Sequence, residues 1–226
     1  MCAGCGNGLE MHERVVCPAC EARMTRIDHP LCLRCGEPFA SGAGEDHLCG
    51  TCLVIDRGFE MARSAMRYDG ATIDLIVKYK FKGDIRLAGF LAGLMDGPLD
   101  ELAAGGKIDL IVPVPLHADR LRERGYNQAQ LLAKMISEQR GIPMDRWVLR
   151  RKRATAPQIG LPIKDRRLNV RGAFIVKKPE RVADKTVLVV DDVLTTGATV
   201  SECSRVLLAA GAAKVRVATL ARAVTR

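Results

Sequence analysis

The sequence predicts an α/β fold: a parallel sheet with helices on both faces, preceded by a small cysteine-rich module. Three observations carry this. From Glu60 onward, β-rich apolar segments alternate with segments whose apolar residues recur at helical spacing, the pattern of a doubly wound sheet. Within that region Val187–Thr199 reads VLVVDDVLTTGAT, an apolar strand, two acids and a Thr/Gly turn, followed by a helical stripe at Val200, Cys203, Val206, Leu207 and Ala210. Before it, eight of the nine cysteines form four Cys-x-x-Cys pairs: Cys2/Cys5, Cys17/Cys20, Cys32/Cys35 and Cys49/Cys52.

Residues 1–57 are taken as one domain and residues 58–226 as another. The first has too few large apolar side chains to build a core alone, so metal binding is expected to supply its folding energy. Thiolates two residues apart match the knuckles of a tetrahedral Zn²⁺ site, and eight of them complete two structural zinc ions. Disulfides need an oxidising compartment, and no export signal follows Met1. Sequential grouping, Cys2, Cys5, Cys17 and Cys20 around one ion and Cys32, Cys35, Cys49 and Cys52 around the other, is preferred because each half has similar form. Cross-braced grouping stays open. His12 and His47 are expected in surface loops, and Cys203 in the core.

In the second domain, Ala62–Tyr68 is expected as a strand closed by Gly70. Ala71–Phe81 is expected as a helix on Ile73, Ile76, Val77 and Phe81, and Leu87–Met95 as another. Ile108–Val114 is a β-rich segment ending in Pro113, Val114 and Pro115. Asn127 is an N-cap for a helix carrying Ala129, Leu131, Leu132, Met135 and Ile136, stopped by Gly141. Trp147–Leu149 and Ala173–Val176 are read as short strands, and Thr186–Val190 and Val215–Leu220 as strands flanking the helix after the Thr/Gly turn. No apolar run approaches the roughly 18 residues of a membrane span.

The chemistry concentrates at strand ends. Two acids after an apolar strand are costly unless something binds them. They can accept hydrogen bonds from vicinal hydroxyls or face Mg²⁺, and the loop and helix N-terminus beyond them can hold a phosphate. The Lys of a Walker A loop and the Gly spacing of a dinucleotide fingerprint are missing. The turn Pro113–His117 can hold pyrophosphate, with Arg120 and Arg124 in reach. Most of the net charge of +9 falls in Arg150–Arg171, where Arg150, Arg151, Lys152, Arg153, Lys164, Arg166, Arg167 and Arg171 oppose only Asp165. Thr155, Pro157, Gly160 and Pro162 interrupt regular structure there, so a mobile basic arm is expected, suited to pyrophosphate or a nucleic-acid backbone. In Lys78-Tyr79-Lys80-Phe81-Lys82, aromatics interleave with lysines, a spacing that suits stacking plus phosphate contact and equally a basic helix end.

VLVVDDVLTTGAT resembles the ribose-phosphate loop of type I phosphoribosyltransferases. The resemblance implies that Asp191 and Asp192 hold the ribose hydroxyls of phosphoribosyl pyrophosphate (PRPP) and that Thr195, Thr196, Gly197, Ala198 and Thr199 wrap its 5′-phosphate. Together with the two cysteine modules, KYKFKGD, VPVPLHADRLRERGYNQA, RKRATAPQIGL, RRLNVRGAF and the acidic loop, nearly the whole chain resembles the ComF family, including its GntX-type members. That resemblance implies a type I phosphoribosyltransferase-like sheet, a cytoplasmic protein that binds PRPP with Mg²⁺, and partners among single-stranded DNA and other DNA-uptake proteins. One departure matters. The 6-oxopurine enzymes carry an acid where Thr195 stands, so hypoxanthine or guanine salvage is disfavoured. Two functions result: a DNA-uptake factor that binds PRPP or single-stranded DNA without turnover, and an active phosphoribosyltransferase whose acceptor the sequence does not name.

Overall fold

The computed structural model describes residues 1–9, 15–42, 44–154 and 163–224; side chains are described outside 163–166. His12, Thr155, Pro157, Gly160, Pro162 and the side chains of Lys164, Asp165 and Arg166 therefore lie outside the described residues.

The elements run α1 (Pro18–Glu21), α2 (Gly50–Val54), β1 (Met61–Arg67), α3 (Gly70–Phe81), α4 (Leu87–Gly93), α5 (Asp96–Ala104), β2 (Leu110–Pro113), α6 (Ala118–Arg124), α7 (Gln128–Arg140), β3 (Leu149–Arg151), α8 (Ile163–Val170), β4 (Phe174–Val176), β5 (Thr186–Leu194), α9 (Ala198–Ala209) and β6 (Lys214–Arg222). Four strands form one parallel sheet in the order β1-β6-β5-β2, and β3 and β4 form a separate antiparallel pair.

Side chains of the parallel sheet alternate between two cores. Val187 and Val189 of β5, Leu110 and Val112 of β2, and Val215 and Val217 of β6 pack on one face with Val200, Cys203 and Leu207 of α9. Leu188, Val190, Ile111, Ala218 and Leu220 pack on the other with α3, α4, α5 and α7. Both faces are covered, which is why these strands read as unbroken apolar runs.

The cysteine module is built into this frame. Cys2, Ala3, Cys20 and Met24 join the core on the α3 side, whereas Cys32, Cys35 and Cys52 join the core on the α9 side. Between them the chain lies along the free edge of β1. Ile27 N–H donates to Ala65 O (3.1 Å), Arg67 N–H to Thr25 O (2.8 Å) and Ala62 N–H to Arg34 O (2.7 Å). The β2 edge is covered by residues 143–145, with Ile111 N–H donating to Pro143 O and Asp145 N–H to Ile111 O. Neither edge is left open for another chain to pair with. Arg216, fully buried on β6, ties the sheet to α5. Its Nη1 donates to Leu102 O and Gly106 O, both at 2.7 Å, and its Nε to Glu60. A buried guanidinium at a helix C-terminus meets the last carbonyls and the negative end of the dipole together.

Several expectations are corrected. The α3 stripe runs Ala71, Thr72, Leu75, Ile76 and Tyr79, while Ile73 and Val77 are half-buried and Phe81 is exposed. The helix expected over Leu87–Met95 is present as α4, and a further helix that was not expected, α5, follows it with Pro98 in its first turn, where the missing N–H costs nothing. Trp147 is exposed, stacked by the Arg146 guanidinium at 4.4 Å, and the strand starts two residues later. The two ends of the expected mobile arm are regular structure, β3 at Arg150–Arg151 and α8 at 163–170. Asn127 caps α7 as expected, accepting from Ala129 N–H (3.0 Å) and donating through Nδ2 to Val114 O (3.0 Å).

Candidate functional site

The site forms where β5 and β2 end side by side. Pro113 lies opposite Val190, and Val114 N–H donates to Val190 O at 2.9 Å. The Pro113–Pro115 turn and the acidic pair are therefore neighbours, and Asn127 Nδ2 holds Val114 O from the start of α7. Strand β5 does not stop before the acids. Asp191 pairs with Thr219, and the ladder continues through Val193 and Leu194 to Ala221 and Arg222. Asp192 N–H donates to Asp191 Oδ1 (2.9 Å), which fixes the two carboxylates relative to one another.

Asp192 is buried, and its Oδ1 lies 2.9 Å from Lys80 Nζ. Its Oδ2 is buried and has no hydrogen-bond partner among the described residues; Arg67 Nε, at the same carboxyl end of the sheet, is in the same state. A buried carboxylate oxygen without a donor is expensive, and a ligand hydroxyl would satisfy it. Burial, then the Asp192 charge, push the Asp191 carboxyl up to about 7, against the opposite pull of Lys80 and Arg151. Burial works to lower the Lys80 ammonium, but Asp192 and Asp191 outweigh it and hold it above its ordinary value. Lys80 thus stays charged and neutralises part of the pair.

The Thr195–Thr199 loop turns through Gly197, whose φ of 78° is left-handed. That conformation favours glycine, and a Cβ there would lie 2.9 Å from Arg57 Nη1, the far end of a flexible side chain that would have to move. Beyond it the twelve-residue α9 begins at Ala198, so the positive end of a helix dipole lies beside the acidic strand end. Arg151 reaches the site from β3. Its guanidinium stacks on the Phe174 ring at 5.4 Å and feels the Asp191 charge. Arg153 braces α8 instead, donating from Nη2 to Asn169 O and Arg171 O, each at 2.9 Å. Arg124 is engaged by Gln128 Oε1 (2.6 Å) and lies over Phe81.

Within the KYKFKG stretch Tyr79 is not placed to stack on a base, which corrects the stacking expectation at that residue. Tyr79 is fully buried and donates to Gln128 O (2.9 Å), because it occupies the core face of α3. Lys78 donates to Ala3 O and to Gly4 O (2.9 Å) of the cysteine module, and Lys80 belongs to the acidic pair. Lys82 is exposed. A groove of about 810 Å³ opens on the outer side of α9, lined by Arg57, Arg167, Arg171 and Arg205 with Asp56 and Glu202. Arg150 and Arg167 are both exposed.

The cysteines group sequentially. Within Cys2, Cys5, Cys17 and Cys20, and within Cys32, Cys35, Cys49 and Cys52, all ligand atoms lie within 4.8 Å of one another. Sγ–Sγ distances of 3.9 Å (Cys5–Cys17) and 3.7 Å (Cys35–Cys49) match the edge of about 3.8 Å that a tetrahedron with Zn–S near 2.3 Å requires. In both clusters the first sulfur accepts backbone N–H groups, Gly4 and Cys17 on Cys2, Cys35 and Cys49 on Cys32, which stabilises thiolate. The residues present fit two structural zinc ions.

Comparison with known proteins agrees with both halves. The phosphoribosyl transferase domain family matches residues 99–226, and the double zinc ribbon domain matches residues 1–53. Strand β1 and helix α3 precede the first of these segments yet belong to the same sheet and core. Over 98% of its own length and 96% of theirs, the chain is 31% identical to Competence protein F of Haemophilus influenzae and 35% identical to DNA utilization protein YhgH of Escherichia coli. It is 28% identical to Competence protein ComFC of Bacillus subtilis over 92% of this chain and 84% of that one. Among the described residues no helix is long and apolar enough to cross a membrane. A double zinc ribbon built onto a phosphoribosyl transferase sheet, matched across nearly its full length by these relatives, places the chain in the ComF family.

Proposed function

We propose that this protein binds PRPP at the carboxyl end of its sheet and acts in the uptake or use of DNA in the cytoplasm. One observation carries the donor half: Asp192 Oδ2 is buried without a donor among the described residues, beside a strand–loop–helix turn suited to phosphate. In this reading Asp191 and Asp192 accept from the ribose hydroxyls, Thr195–Thr199 hold the 5′-phosphate, and the Pro113–Pro115 turn with Arg151 faces the pyrophosphate, while Arg153 holds α8 behind it. The acidic pair suits Mg²⁺, which is commonly held by one or two carboxylates plus substrate phosphates. When bound there it neutralises pyrophosphate charge. Lys80 already supplies one positive charge to the same pair. Residues 1–57 serve as a ribbon domain and 58–226 as the sugar-phosphate domain.

The DNA half rests on the names of the relatives and on the arginine groove beside α9. Arg167 and Arg171 are the positions on which a single-stranded backbone would lie. Changing both to Ala is expected to weaken binding of single strands and to flatten the slope of log affinity against log salt by about 1.4, at ~0.7 per phosphate contact. An unchanged slope assigns the strand elsewhere.

Transfer to an acceptor is the second reading, because PRPP binding is its first step. Thr195 offers no carboxylate to a purine base. Calorimetric titration with PRPP and a pyrophosphate-release assay across nucleobases and nucleotides separate the readings. Binding without release supports a donor-binding role; release with any acceptor makes the protein a transferase. No binding with or without Mg²⁺ overturns both.

A further inference from the structure

The second zinc ribbon and the Thr195–Thr199 loop are joined by two arginines. Arg57 lies five residues beyond the ligand Cys52, in the segment entering β1. Its Nη1 donates to Thr196 O at 2.5 Å and packs against Gly197, and its guanidinium is a charged neighbour of the Cys52 side chain. Arg222 lies across the ladder from Leu194, the residue before the loop, and Ala223 N–H donates to Leu194 O. Its Nη1 donates to Cys35 O (2.8 Å), its Nη2 to Cys35 Sγ (3.6 Å) and its Nε to Glu37 (2.7 Å). Two ligand cysteines of the second ribbon are thus reached from the backbone on both sides of Thr195. The first ribbon is held differently: Lys78 takes its Ala3 and Gly4 carbonyls, and its Cys2 sulfur accepts from its own backbone.

Arg57 acts on one peptide unit. Carbonyl and N–H of a trans peptide point in opposite directions. By gripping Thr196 O, Arg57 turns the Gly197 N–H away from itself, toward the side of the loop that an anion would occupy. Zinc-bound thiolates hold the guanidinium electrostatically and fix the Cys49–Cys52 knuckle. Free thiols do neither. We propose that Arg57 is a positioning residue that links the second zinc site to the phosphate loop, so that zinc and a sugar phosphate bind cooperatively. The proposal rests on the reading of Asp191–Thr199 as a sugar-phosphate site.

Coupling between two sites is reciprocal: if zinc organises the phosphate loop, PRPP must hold the zinc. A ligand that merely stabilised the whole fold would slow loss of both ions. The experiment follows zinc transfer from the two-zinc protein to a chromogenic chelator, with and without saturating PRPP. One equivalent is expected to leave roughly 5-fold or more slowly with PRPP, the low end of ordinary coupling, while the other is unaffected. In Arg57→Ala that retains two zinc ions by elemental analysis, PRPP binds about 5-fold more weakly and no longer protects. Arg57→Lys, which keeps the charge and loses the planar fork, gives partial protection. Equal slowing of both equivalents overturns the proposal. So does the absence of slowing while PRPP titrates normally, or wild-type protection in Arg57→Ala. If Arg57→Ala loses zinc on purification, the wild-type and Arg57→Lys measurements decide. Failure of PRPP to bind the wild type sinks the sugar-phosphate reading itself, a separate result.

Discussion

Asp191→Asn is expected to raise the melting temperature of the unliganded protein by about 3–6 °C at pH 7.5 and to weaken PRPP binding roughly 10- to 100-fold. The two effects share one cause. Burial and the neighbouring Asp192 charge push the Asp191 carboxyl from its ordinary 3.8 up to about 7. A carboxyl raised on folding binds more protons in the folded state, so stability falls as pH rises between those values and is lowest above both. At pH 7.5 the cost is fully present. A rise from 3.8 to about 7 corresponds to about 4 kcal/mol, of which half-buried Asp191 keeps roughly 1–2 kcal/mol after solvent screening. Asn retains the Oδ1 that accepts Asp192 N–H and removes the charge. The stability gain should therefore shrink as pH is lowered and vanish near pH 4. Scanning calorimetry across pH 4–8 checks this; a gain independent of pH would mean that the charge is not its source. Asp192→Asn differs. It removes the second cause of the Asp191 rise, after burial, and leaves Asp191 as the counter-ion of Lys80, so stability changes by no more than about 1 kcal/mol while PRPP binding still falls.

How much of this site was readable follows from where its contacts lie along the chain. Asp191–Thr199 is one contiguous segment, so strand, acids, glycine turn and helix were legible together. The end of β5 was not, because two acids break the apolar pattern while the ladder to Thr219, Ala221 and Arg222 carries the strand on. Tyr79 was misassigned through helix phase. The stripe Thr72, Leu75, Ile76, Tyr79 obeys the i, i+3, i+4, i+7 rule and places Tyr79 inside. The neighbouring set Ile73, Ile76, Val77 satisfies the same rule almost as well, and only packing chooses between them. Lys80 was noticed for the wrong reason, since a lysine near a helix C-terminus carries no mark of the carboxylate it meets 112 positions later. Arg57 gave no signal at all. It stands in a linker 139 positions from Thr196, and that contact exists only because the ribbon folds onto the sheet.

Removing both zinc ions is expected to lower the melting temperature by about 10 °C or more and to make the whole chain aggregate, not merely to unfold its first 57 residues. A structural zinc site contributes on the order of 10 kcal/mol to the folding of the segment that holds it, comparable to the entire stability of an ordinary domain. Without metal, residues 1–57 have little core of their own. Seven of the ligands, Cys2, Cys20, Cys32, Cys35 and Cys52 with half-buried Cys17 and Cys49, pack into the two cores of the sheet, so their release opens cavities on both faces. The backbone along residues 25–34 would also leave β1, whose edge N–H and C=O groups it satisfies at Ala62, Ala65 and Arg67. An apolar edge strand with open backbone groups is a template for pairing with another copy. Chelation followed by melting and light scattering tests this. If the metal-free chain stays monomeric and melts within about 2 °C of the zinc form, the ribbons are appendages and the sheet closes its own edge. The arrangement seen here predicts the opposite, because the ribbons stand where a further strand would otherwise be required.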